Sequence, residues 1–192
     1  MKQKQLRILL ADDEPIILLD IKEILTEEGF IVIGECEDGV SAVNLAKVLK
    51  PDLVILDIKM PVMNGIDAAK ILNQERIAPV LLLSAYSSDE FINQAGAAGV
   101  LAYLIKPVTK NCLIAACKIA LKRAEEFNVL RNENLSLQDA LETRKLIERA
   151  KGILEKKYLL SEEKAFNKIR KISMEQRKSM KDVAKAIIIS LS

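Results

Sequence analysis

Five short apolar runs, built mostly of Val, Ile and Leu, punctuate the first 123 residues: Leu6 to Ala11, Ile31 to Gly34, Leu53 to Leu56, Val80 to Leu83 and Val100 to Ile105. Each is too short for a buried helix and right for a strand covered on both faces. Segments of helical period separate them, near Pro15–Glu28, Gly39–Leu49, Gly65–Gln74 and Ser88–Ala97, and from Thr109 onward. Pro15 suits a first helical turn and Gly29 a helix end. Five strand–helix repeats predict an α/β fold: a parallel sheet with right-handed crossovers and helices on both faces.

In such a sheet ligands bind outside the carboxyl ends of the strands, near the switch in strand order. Strand one ends in Asp12-Asp13-Glu14, strand three in Asp57, and strand four in Ser84-Ala85, while strand five runs through Tyr103 into Lys106-Pro107. Three carboxylates from two strand ends are thus expected to converge with a hydroxyl and a lysine. Crowded carboxylates repel, and their joint ionisation is costly unless a cation sits among them. A hard divalent cation, most naturally Mg²⁺, offsets that cost. The chemistry that fits is phosphoryl transfer to a carboxylate, with Asp57 as the nucleophile. Lys106 and Ser84 are then expected to hold the remaining phosphoryl oxygens.

Composition excludes other chemistries. The 192 residues contain no histidine, which removes Ser-His-Asp and Cys-His catalysis and His-containing zinc sites. Cys36, Cys112 and Cys117 form no CxxC pair and are expected to be reduced thiols packed as small apolar residues. No apolar run approaches a bilayer span. The start MKQKQLRILLADDE meets acids after five apolar residues, unlike a signal peptide, so a cytoplasmic chain with no membrane partner is expected.

The motifs from Leu6 to Lys122 resemble the receiver domain of two-component response regulators. They are Asp12-Asp13, Asp57 within LDIKMPVMNG, Ser84-Ala85, and Tyr103 with Lys106-Pro107. The resemblance implies a flavodoxin-like five-stranded parallel domain in which a sensor kinase's phosphohistidine phosphorylates Asp57. It also implies that Asp13, Asp57 and the backbone carbonyl of Lys59 ligate Mg²⁺, with Asp12 acting through water. Ser84 and the switch residue Tyr103 are implied to move on phosphorylation, and Lys106-Pro107 to be cis. Asn64 stands where Asp is frequent, and both can begin a helix. Two readings of the Lys59 side chain stay open. It reaches the phosphoryl group or guides water, or it is simply solvated.

After Pro107 there is no further proline and one glycine, Gly152, and the helical pattern runs unbroken to about Tyr158. Phe127, Leu130, Asn134, Leu137 and Leu141 are spaced as in a coiled-coil seam, barely two heptads long, and an ordinary amphipathic helix is the alternative. Asn134 in the seam fits a parallel homodimer. Residues 136–192 read as three helices. The first carries Leu137, Leu141, Ile147, Ala150 and Leu154. The second starts at Ser161 with Ala165, Phe166, Ile169 and Ile172, and the third buries Met180, Val183, Ala184, Ile187 and Ile188.

Charge divides the chain. Residues 1–123 carry 14 basic and 16 acidic side chains (net −2), residues 124–135 one and three (net −2), and residues 136–192 14 and eight (net +6). A basic helix surface is either a solvated face or a nucleic-acid patch. The segment Ala140 to Leu191 resembles the ANTAR domain of RNA-binding antitermination regulators, through Arg144, Ile147, AKGIL at Ala150–Leu154, Ser161 with Ala165-Phe166, Ile169-Arg170, and Val183-Ala184 with Ile187. That resemblance implies binding of nascent mRNA hairpins, with Arg144, Lys151 and Arg170 contacting RNA and Gly152 allowing close backbone approach. The expected organisation is therefore a receiver over 1–123, a helical connector over 124–135 and a three-helix RNA-binding domain over 136–192. It describes a regulator rather than an enzyme, active as a homodimer. A DNA-binding response regulator controlling initiation is the alternative.

Overall fold

The computed structural model describes residues 5–85 and 89–191, so the predicted helix start at Ser88 and the first four residues of the basic start lie outside the described residues. It divides into two compact units, 1–127 and 128–192.

In the first unit, β1 (Arg7–Ala11), β2 (Ile31–Cys36), β3 (Leu53–Asp57), β4 (Val80–Ser84) and β5 (Ala102–Ile105) form one parallel sheet in the order β2-β1-β3-β4-β5. The chain steps from β1 outward to β2 and then back across to β3. The carboxyl ends of β1 and β3 therefore flank the switch point. Helices α1 (Pro15–Glu27), α2 (Gly39–Leu49), α3 (Gly65–Gln74) and α4 (Asp89–Ala97) follow the first four strands. Alternation along the strands splits the core in two. Leu9, Ala11, Val54, Leu56, Val80 and Leu82 pack on the face with α2, α3 and α4. Ile8, Leu10, Leu53, Ile55, Leu81 and Leu83 pack on the other with α1 and the start of the next helix.

Both-face burial holds for β3 and β4, which are buried at every residue. It fails at β2 and β5, whose Ile31 and Ile105 are exposed, because these two strands lie at the sheet edges. Local signals act at the expected positions. Pro15 opens α1, Gly29 follows it at φ +83°, and the Asn64 side chain caps α3 by accepting the Asp67 N–H at 2.8 Å. Cys117 is buried and Cys36 half-buried, and burial pushes both thiols up to about 12. Cys112 differs from expectation in lying exposed on a helix surface.

The long helix α5 (Lys110–Tyr158) is continuous over 49 residues, its first part in one unit and the remainder in the other. In the second unit α6 (Glu162–Gln176) and α7 (Met180–Leu191) pack with the end of α5. Ala150, Leu154, Ala165, Ile169, Val183, Ala184 and Ile187 are its buried core. Ser161 takes the N-cap backbone position of α6 but makes no side-chain cap bond. Three predicted core residues lie elsewhere. Leu137 and Leu141 are 70% and 55% exposed, because α6 and α7 cover only the later turns of α5. Phe166 is also at the surface, since Ala165 and Ile169 take the inward side of α6. No described helix is long and apolar enough to cross a membrane.

Candidate functional site

The strand ends build a cleft of about 230 Å³ lined by Asp13, Glu14, Asp57, Ser84, Ala85 and Lys106, together with Ile58 and Lys59. Asp57 is the last residue of the fully buried β3, so the strand carries its carboxylate to the carboxyl end of the sheet with little freedom. Asp12 follows β1 and is 1% exposed, whereas Asp13, its neighbour, is exposed. Ser84 ends β4 and is buried. Lys106 follows β5, its N–H donating to the Ser84 carbonyl at 2.7 Å, and its bond to Pro107 is cis.

Lys106 organises this cleft. Its Nζ lies 2.7 Å from Asp12 Oδ2 and 2.7 Å from Asp57 Oδ1, with Glu14 Oε1 at 3.8 Å. The other oxygens are also engaged. Asp57 Oδ2 accepts the Lys59 N–H at 2.6 Å, and Asp12 Oδ1 accepts the Glu14 N–H at 3.1 Å. Burial raises the Asp57 pKa above its ordinary value, and the nearby Asp12 charge adds to that. The Lys106 hydrogen bond and charge oppose it. Burial also works against the charge on Lys106, but its hydrogen bonds to Asp12 and Asp57 outweigh this and hold its pKa above the ordinary lysine value. An ammonium therefore supplies the cation that two buried carboxylates require.

Among the described residues, no three His, Cys, Asp or Glu side chains are gathered as a metal-holding group. The chemistry of the cleft nonetheless fits a hard divalent cation, because its carboxylates are all oxygen donors and Asp13 stands at the rim. Such an ion would compete with Lys106 for Asp57. Tyr103, on β5 opposite Leu82, is half-buried against the core on the α4 face.

Gly65 is held glycine by a close backbone approach that the motif contained without revealing. A Cβ there would run into the carbonyl oxygen of Asp57, and the Gly65 N–H donates to the Ile58 carbonyl at 2.9 Å. Gly65→Ala is expected to push the β3–α3 loop away from the acceptor. The overpacking should cost about 2 kcal/mol of stability and slow phosphoryl uptake. A thermal melt and an acetyl phosphate assay unchanged from wild type would show that the loop has slack.

In the second unit the four residues expected at RNA separate. Arg144 and Arg170 are exposed. Gly152 is half-buried, and a Cβ there would meet nothing within 4 Å, so packing within the chain does not explain the glycine. Lys151 is different. Its side chain is 8% exposed, and Nζ is held by Glu148 at 2.9 Å and by Glu162 at 2.6 Å. These bonds, Glu162 first, raise its pKa. It clamps α5 to the first turn of α6 instead of standing open to a ligand. Glu148 is readable in sequence as an i,i+3 partner. Glu162 is not, because it belongs to another helix.

The seam residues Phe127, Leu130, Leu137 and Leu141 are 60%, 62%, 70% and 55% exposed, an uncovered apolar stripe along α5.

Comparisons with known proteins match one family in each unit. The family model described as the response regulator receiver domain matches residues 8–118, and the ANTAR domain model matches residues 135–188. The chain is 45% identical over 185 residues to the transcriptional regulatory protein PdtaR of Mycobacterium tuberculosis, covering 96% of this chain and 90% of that protein. It is 37% identical over 111 residues to the chemotaxis protein CheY of Thermotoga maritima, covering 57% of this chain and 92% of that one. Among solved structures, the receiver domain of the putative response regulator NarL of Mycobacterium tuberculosis superposes with a TM-score of 0.60 at 29% identity, covering 62% of this chain and 98% of that one. CheY of Borrelia burgdorferi, in a complex with CheX, BeF3 and Mg²⁺, gives 0.55 at 28% identity, covering 58% and 86%.

Proposed function

The chain belongs to the response regulators that join a receiver domain to an ANTAR domain, and from that premise we propose that phosphorylation of Asp57 controls its binding to mRNA hairpins. It is a response regulator of the RNA-binding antitermination class, and the DNA-binding alternative falls with the ANTAR match over 135–188. One observation carries the phosphorylation proposal. A buried strand-end carboxylate shares a cleft with Lys106 and Ser84 in a chain whose other unit is basic.

An Asp57 oxygen attacks the phosphorus of a phosphohistidine, an O–P bond forms as the N–P bond breaks, and the imidazole leaves and takes up a proton. This chain has no histidine, so the donor is another protein, a sensor kinase. Mg²⁺, held by Asp13, Asp57 and the Lys59 carbonyl with Asp12 through water, would neutralise charge on the transferring group. Lys106 then exchanges its bond to Asp57 for one to a phosphoryl oxygen, Ser84 donates to another, and Tyr103 follows on the adjacent strand. The new charge acts as a local switch on this face.

The functional division proposed is receiver 1–123, connector 124–135 and RNA-binding domain 136–192. Units meeting at 127/128 and family matches ending at 118 and beginning at 135 support it. The exposed stripe supports homodimer formation through α5. With Phe127, Asn134 and Leu141 at the a positions, Glu126 and Arg131 fall at g and the following e. Opposite charges then meet between parallel copies. We place this activity in the cytoplasm, where nascent mRNA is made.

Wild-type protein treated with Mg²⁺ and beryllofluoride is expected to bind hairpin RNA about tenfold or more tighter than untreated protein, within the usual range of coupling between two sites. Asp57→Ala should give no such response, and duplex DNA should not compete at equal salt. An Asp57→Ala variant that binds as tightly as treated wild type would defeat the proposal.

A further inference from the structure

The turn between α5 and α6 breaks two local rules at one residue. Leu159 has φ +52°, the left-handed region that suits glycine or asparagine just after a helix. Its side chain is also 92% exposed, so no burial offsets the backbone strain. The neighbouring Leu160 packs against the domain core, so the fold needs one leucine here and not both. Val62 also pairs a positive φ with an exposed side chain, so it is the neighbours of Leu159 that set this turn apart. Tyr158, the last residue of α5, is 47% exposed beside it. Lys168 on α6 places its Nζ 4.5 Å from the centre of the Tyr158 ring. Lys156 and Lys157 are exposed just before the tyrosine, and Lys164 is exposed one turn before Lys168 on α6. Of the acids nearest in the chain, Glu162 is held by Lys151, leaving Glu155 and Glu163.

We propose that Tyr158 and Leu159 form an apolar tip that receives an unpaired base of the RNA loop, with the surrounding lysines on the flanking phosphates. The inference rests on the RNA-binding reading above and adds a specificity-determining contact to it. Charge selects this occupant. A single-stranded loop presents flat apolar bases between anionic phosphates, which matches an exposed aromatic and an exposed aliphatic side chain with Lys168 against the ring and Lys156, Lys157 and Lys164 exposed nearby in the chain. A duplex offers the phosphates but keeps its bases stacked.

Two variants of the full chain, Leu159→Gly and Tyr158→Leu, test it after Mg²⁺–beryllofluoride treatment. The probes are a stem-loop RNA pool with a randomised loop and a blunt duplex RNA of the same stem. Leu159→Gly removes the strained side chain, so its melting temperature should equal or exceed that of wild type. Its stem-loop affinity should nevertheless fall about tenfold, and Tyr158→Leu should lose a similar factor, as for loss of a stacked base. Duplex affinity should hold for both. The salt slope should also be unchanged, because no phosphate contact is lost, whereas Lys168→Gln should reduce it.

Stem-loop binding within about twofold of wild type in both variants, or equal losses on stem-loop and duplex, would overturn the base contact. Normal stem-loop binding with lost antitermination in a purified transcription reaction would also overturn it, assigning the tip to a protein. Failure of wild type to bind the stem-loop pool would remove the RNA-binding reading and this inference together. Retained wild-type binding with unaffected variants would remove this inference alone.

Discussion

Asp57→Ala, incubated with acetyl phosphate and Mg²⁺, is expected to take up no phosphoryl group, whereas intact-mass measurement should find one on the wild-type chain. The loss should be complete because the cleft offers no second acceptor of the same kind. Asp12 is 1% exposed, and its oxygens are held by the Lys106 ammonium and the Glu14 N–H. Asp13 stands exposed at the rim, and Ser84 presents a neutral hydroxyl in a chain that has no histidine. Asp12 shares burial and the contact with Lys106, but Asp57, the last residue of β3, is the buried carboxylate that lines the cleft beside Ser84 and Lys106.

The pH dependence follows from its environment. Burial raises the Asp57 pKa above the ordinary 3.8, and only the ionised carboxylate attacks phosphorus. Uptake by wild type should therefore fall as the pH is lowered into the range where Asp57 protonates. A phosphoryl group found on Asp12 or Asp13 in the variant, or uptake flat with pH down to the ordinary carboxylate value, would contradict the assignment.

Lys106→Met should have the second-largest effect, because it removes the cation between two buried carboxylates. Breaking a buried pair by deleting one partner costs about 3 kcal/mol, here lessened because Asp57 can take up a proton instead. The sign can be worked through. Lys106 has a raised folded pKa, so its contribution is complete below the ordinary 10.5 and lost as the pH rises through the folded value. Asp57 also has a raised folded pKa, so stability associated with its protonated form is present at low pH and lost as the pH rises through that value. Without Lys106 the Asp57 pKa should climb further. The deficit of the variant relative to wild type should then be smallest in acid and widen toward neutral pH. Denaturant titrations at several pH values measure this directly. Mg²⁺ should raise the melting temperature of the variant more than that of wild type, since it no longer competes with an ammonium. A deficit independent of pH, or an equal response to Mg²⁺, would mean that Lys106 does not supply the counter-charge.

Much of the receiver was legible because its signals are local and repeated. Short β-branched runs mark strands, helical period marks what lies between, and residues following each strand are automatically brought to one end of a parallel sheet. The position of Asp12, Asp57, Ser84 and Lys106 at one end of the sheet follows from this pattern. The manner of their meeting was not legible. Alternating charge along a chain does not show that one ammonium bridges two carboxylates, since that depends on the distance between the ends of β1, β3 and β5. The second unit was read less completely for the same reason. Phe166 and Ile169 share an amphipathic pattern, but only the packing of α5 and α7 leaves one outside and the other at 0% exposure. Lys151 sat in a motif resembling an RNA-binding one, yet its nearest partner, Glu162, lies on a different helix.

The sequence alone thus determined the order of elements, the receiver and ANTAR motifs, the carboxylates at the strand ends and the absence of any histidine in the chain. These follow from residue type and spacing. The tertiary structure decided which charges are already neutralised, which apolar residues stay uncovered, and that Leu159 pairs a strained backbone with a solvent-exposed side chain. Exposure and ion pairing depend on which elements cover one another, and that is fixed by long-range packing.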